Sequence, residues 1–150
     1  MPASGIVADL NVDMFLPLYP LKILTVQGLA DSTIGDDVRA VAATMGIRVQ
    51  GDPEPSRNIF IRSDQYNFVL HGIPSVKIDF GNEKGSKENE LAKAWLANRY
   101  HAPSDDLNQP VDKHAAGVFN DVLGRLLVRV ANADQKPAWK NDSFFRRYSN

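Results

Sequence analysis

The chain has 150 residues, 43% of them hydrophobic and 23% charged, with a formal net charge of −1 and no cysteine. Such a length is expected to fold as one domain that buries roughly 68–70% of its unfolded surface around a single core. The near-neutral charge gives no electrostatic case for nucleic acid or an anionic membrane as partner, and the lack of cysteine excludes disulfides, thiol catalysis and cysteine-held metals.

The first residues, MPASGIVADL, carry neither a basic segment nor a long apolar one. No run reaches about 18 apolar residues, so the expectation is a soluble chain without an export signal, its compartment left open. Residues 6–14 are apolar and β-leaning, interrupted by Asp9 and Asp13 and closed by Pro17 and Pro20. They predict a buried strand with its carboxylates near the C-terminal end. Residues 21–29 predict a second strand ended by Gly28. Val38, Val41, Ala42 and Met45 then recur at helical spacing, with Thr33 and Asp36 placed as a capping box and Gly46 as the stop. IRVQ reads as a short strand and GDPEPSRN as a proline-stiffened loop.

IFIRSDQYNFVLHGIPSVKIDF predicts a strand tip, a short helix from a Ser63 N-cap to Gly72, and a strand over 75–80. A further helix of about ten residues is expected to place Leu91, Ala94 and Trp95 on one face. The clearest element runs from the Asp112 region to Ala131, where Val111, Ala115, Phe119, Val122, Leu126 and Val130 recur every three or four residues. Residues 132–150 form a tail whose Trp139, Phe144 and Phe145 are costly to leave in water, so it is expected to pack back on the domain or on a partner. Strand and helix alternate, so the fold class is α/β: a partial mixed β-sheet flanked by helices in a single domain.

No H-E-x-x-H, G-x-S-x-G, phosphate-binding loop or dinucleotide fingerprint occurs. What remains is a set of local features. Asp13 at a strand end is either a ligand-facing carboxylate or a structural one bonded to backbone. Ser63 and Asp64 sit at a helix start, where capping is the plain reading. His71 lies at a helix C-terminus, and His114 stands beside Lys113 on the last helix. In YHAPSDD, His101 is followed by Pro103, Ser104, Asp105 and Asp106. A stiff loop with carboxylates nearby suits a functional imidazole and an ordinary turn alike.

Taken together and in order, LNVDM, SDQYNFVLHGIPS and YHAPSDDLNQPVD resemble the C-terminal half of the zinc-dependent exopeptidases that include bacterial leucyl aminopeptidases and aminopeptidase Y. The likeness runs from the strand carrying Asp13 to the closing helix, and the ending VANADQKPAWKNDSFFRRY also looks like this group. The resemblance implies a mixed central sheet between helices and two zinc ions near the carboxyl ends of the strands. Five ligands hold them in the family: a His and an Asp of an H-x-D motif, a bridging Asp, one acid of a Glu-Glu pair whose other member is the general base, an Asp in N-x-D-M, and a late His. Only the last two carry over, to Asp13 and His101. Neither H-x-D nor an adjacent Glu-Glu pair occurs in this sequence, and Gln65 stands where the family commonly has a histidine after Ser-Asp.

In the family those two surviving donors serve different metals, whereas a catalytic zinc usually has three protein ligands plus water. The expectation is therefore a truncated, half-length member with an incomplete zinc site and residual or altered hydrolysis of small ester or peptide substrates. Self-association is expected near Gly5–Leu18 and the final helix. One alternative is an esterase with Ser63, Ser75 or Ser104 as nucleophile, His101 or His71 as base, and Asp13, Asp64, Asp105 or Asp106 as orienter. The other is a non-catalytic assembly module.

Overall fold

A computed structural model describes residues 5–149 and carries a four-stranded mixed sheet in the order β1-β4-β2-β3. The strands are β1 (Asp9–Asn11), β2 (Ile23–Gln27), β3 (Arg48–Gln50) and β4 (Ser75–Phe80). β1 runs parallel to β4 and β2 parallel to β3, while β2 and β4 pair antiparallel in the middle. The helices are α1 (Thr33–Thr44), α2 (Gln65–Leu70), α3 (Lys87–Asn98) and α4 (Lys113–Ala131). The expected α/β class and mixed sheet are what the chain forms. No helix among the described residues is long and apolar enough to cross a membrane.

Strand alternation sorts the sheet into two unlike faces. Leu24 and Val26 of β2, with Val76, Ile78 and Phe80 of β4, enter one apolar core together with Val38, Val41 and Ala42 of α1 and Phe119, Val122 and Leu126 of α4. Phe119 stacks on Phe80 with ring centroids 5.1 Å apart. The intervening positions, Thr25, Gln27, Ser75 and Lys77, are polar and buried on the opposite face. α1 approaches closely at Gly35, where an added Cβ would lie 1.9 Å from the Leu29 carbonyl oxygen, so only glycine fits that contact.

Several expectations are corrected. The strand expected over 6–14 is only three residues long and half-buried, because the chain bends at Met14, whose φ of 60° no strand can accommodate. Ile59–Ile61, expected as a strand tip, is a 3-10 turn. The Thr33–Asp36 capping box does not form: Ser32 occupies the cap position without a side-chain bond, and the Thr33 hydroxyl instead accepts the Ala138 N–H at 3.1 Å. Ser63 is not the cap of α2, since Asp64 precedes the helix and makes no capping bond either. On α3 only Trp95 of the three expected face residues is buried; Leu91 and Ala94 are exposed. On α4, Asp112 is the cap, its carboxylate accepting the Ala115 N–H at 2.9 Å, and Val111 is left exposed. The tail returns across the domain: Trp139 is buried with Phe60 and Val69, Phe145 packs against them, and Phe144 stays exposed.

Candidate active site

The segment after β1, the end of α3 and the loop before α4 enclose a cleft of about 370 Å³. Asp13 lines one wall, and His101 and Asp105 line another, so three of the residues singled out from the sequence meet in one place. The first wall is fixed from within. Phe15 packs against both Phe80 and Phe119, at centroid distances of 5.6 and 5.0 Å, and the Pro17 carbonyl accepts the Asp112 N–H at 2.7 Å. That bond ties the wall to the start of α4.

Asp13 lies exposed just beyond the strand rather than buried in it. Its carboxylate accepts the Ser63 hydroxyl at 3.0 Å, and its backbone carbonyl accepts Lys77 Nζ at 3.2 Å. Ser63 belongs to a longer chain of bonds: Asn11 Nδ2 donates to the fully buried Gln65 at 2.6 Å, and Gln65 Nε2 donates to the Phe60 carbonyl at 2.5 Å. Lys77 also pairs with Asp79 at 2.5 Å. Burial pushes the Asp79 carboxyl above the ordinary carboxylate range, an effect the Lys77 ammonium opposes. Asp9, on β1, is raised to about 6, chiefly by burial and further by the nearby Asp64, with Ser75 opposing; its Oδ2 atom is buried without a partner.

His101 is exposed, and its φ of 55° puts a non-glycine residue in the left-handed region. With Met14, which also lines it, the cleft carries two such conformations, each costing on the order of 1–3 kcal/mol and persisting only where its surroundings enforce it. The enforcement is visible. The imidazole stacks on Tyr100 with centroids 3.8 Å apart, and Tyr100 leans on buried Trp95. Gln109 locks the loop, accepting Trp95 Nε1 at 2.8 Å and donating to the Asp105 carboxylate at 3.0 Å and the Ser104 carbonyl at 3.1 Å. Asp106 takes no part in the cleft; it accepts the Asn108 N–H at 2.8 Å in a local turn.

None of the remaining candidates lines the cleft. Ser75 is buried and donates to the Ile73 carbonyl at 3.0 Å, and Ser104 donates to the Asn98 carbonyl at 2.8 Å. Ser63 gives its proton directly to Asp13 with no imidazole between them, and Asp64 is exposed outside the cleft lining. His71 is exposed at the end of α2, and His114 is exposed on α4. Among the described residues no hydrogen bond joins a histidine to any candidate serine.

The zinc pair implied by resemblance does not fit this donor set. Among the described residues no three His, Asp or Glu side chains come close enough together to hold a metal ion. Sequence reasoning also missed Lys77, Tyr100 and Gln109. Tyr100 was within reach, since it adjoins His101, and so was Gln109, four residues from Asp105; Lys77 acts through a bond to Asp13 that spans the fold and that spacing does not encode.

A family model described as Peptidase family M28 matches residues 2–127 of the chain. No curated protein and no solved structure matches it.

Proposed function

The chain belongs to peptidase family M28 and is related to the zinc aminopeptidases, and from that premise we propose that it is a hydrolase of the leucyl aminopeptidase or aminopeptidase Y type with a reduced catalytic apparatus. Its cleft takes a small peptide or ester, and the polypeptide alone hydrolyses peptides far below the rate of a complete di-zinc site. The observation that carries this reading is that Asp13 and His101 line one cleft while, among the described residues, no three His, Asp or Glu side chains gather closely enough to hold a metal ion. No Glu-Glu pair is present to supply the base that such a peptidase needs for the attacking water. What the cleft retains is an accessible imidazole beside an apolar wall. His101 can take the proton of a water attacking an ester carbonyl and return it to the departing alcohol, a modest contribution of about 10²-fold that suffices only for activated esters.

The test compares aminoacyl anilides with short-chain activated esters, with chelator, with added zinc, and in His101→Ala. The expected outcome is no anilide turnover and slow ester turnover that survives EDTA and falls to the buffer rate in His101→Ala. Anilide hydrolysis lost with EDTA and restored by zinc would overturn the reading, as would ester turnover indifferent to His101.

A further inference from the structure

A second cleft of about 370 Å³ opens at the starts of β2 and β3 and the end of β4. Its mouth carries four charges of balanced sign, and each cation is paired with an acid from a different element. Lys22 meets Glu88 at 3.4 Å, and Arg48 meets Glu83. The Lys22, Arg48 and Glu83 side chains are 71%, 57% and 61% exposed, so these pairs contribute little to stability and exchange partners readily. Behind them lies Tyr19, only 6% exposed. Its hydroxyl oxygen accepts Asn82 Nδ2 at 3.0 Å, while its proton has no acceptor among the described residues. Buried Tyr19 thus lines a cleft that is also lined by both signs of charge and by the apolar Pro20 and Ile23.

We propose that this cleft binds a small zwitterion of the free amino acid or dipeptide class. The ligand carboxylate meets Arg48, Lys22 and the Tyr19 hydroxyl, and the ligand ammonium meets Glu83 and Glu88. Charge balance selects the class. A simple anion entering the cleft meets two glutamates, and a simple cation meets two bases. A dipolar ligand offers each of the four charges a partner of opposite sign in exchange for two exposed ion pairs. The volume lies at the lower end of the range for small-molecule sites, which suits one or two residues. The proposal is independent of the hydrolase reading, because none of its residues lines the cleft of Asp13 and His101.

The test is an amide NMR titration of the whole chain with L-leucine, using N-acetyl-L-leucine as the anionic control and L-leucinamide as the cationic one. Saturable shifts at Gly81, Asn82 and Glu83 are expected with L-leucine and not with either control. Arg48→Gln, at an exposed side chain whose loss leaves the core untouched, should weaken binding at least about tenfold, the cost of one charged hydrogen bond. The proposal is overturned by no saturable shift up to tens of millimolar, by an equal response to either control, by shifts centred on Asp13 and His101, or by undiminished binding in Arg48→Gln.

Discussion

Asp9→Asn should stabilise the protein above neutral pH and leave it nearly unchanged in acid. Asp9 sits on the edge strand β1 with Oδ2 buried and unpartnered, and its carboxyl is raised from 3.8 to about 6, mainly by burial. The sign follows from linkage. The folded state holds the proton more tightly than the unfolded state, so this group favours folding when protonated. That advantage is lost as pH rises from 3.8 to about 6, and a constant cost remains above that window. A rise of about two pH units corresponds to at most about 3 kcal/mol, and the partial solvent access of the residue reduces this to about 1–2 kcal/mol. Asparagine mimics the protonated acid and has no charge to desolvate. Thermal unfolding of both proteins near pH 4 and near pH 8 reads the difference. The variant's melting temperature should exceed that of the parent by roughly 2–8 °C at the higher pH only. An equal difference at both pH values, or a less stable variant at pH 8, would refute the assignment of a destabilising buried charge.

Three further outcomes are expected. Trp139→Ala removes a side chain that is 6% exposed and whose Nε1 donates to the Gly72 carbonyl at 3.0 Å, so chemical denaturation should show a loss of about 3 kcal/mol. Gln109→Ala frees the loop that carries His101 and leaves the main core intact, so amide exchange over residues 100–110 should quicken at least about tenfold with little change in melting temperature. Self-association is proposed through the β1 edge and the exposed Leu127 and Val128 of α4, which are 57% and 62% accessible. Gel filtration should then give an apparent mass that rises with concentration and returns to that of a monomer in a Leu127→Glu, Val128→Glu double variant.

The helices were legible where one apolar stripe decides the structure. Phe119, Val122 and Leu126 are buried at the spacing that predicted α4, and Val38, Val41 and Ala42 are buried likewise on α1. β4 was read with its observed bounds, since Pro74 and Gly81 bracket the SVKIDF run. What failed is non-local. Ser63 has the spacing of a helix cap, yet α2 begins one residue later, after Asp64, and the Ser63 hydroxyl donates to Asp13, fifty residues earlier in the chain. Thr33 was drawn away from capping by the returning tail. β1 was overestimated because an apolar, β-leaning run does not reveal a left-handed residue at Met14. Of the site, Asp13, His101 and Asp105 were named and do share a cleft; Ser63 and Lys77, which bond Asp13, are fifty and sixty-four residues from it, whereas Tyr100 and Gln109 are near neighbours of His101 and Asp105 that carry no motif of their own.

The most direct measurement of the central claim is the zinc content of the purified chain after equilibrium dialysis, followed by a crystal structure at saturating metal. Among the described residues no three His, Asp or Glu side chains gather to hold a metal ion, which predicts less than one tightly held zinc per chain. Two zinc ions at full occupancy, bound beside Asp13 and His101 of a single subunit, would contradict it.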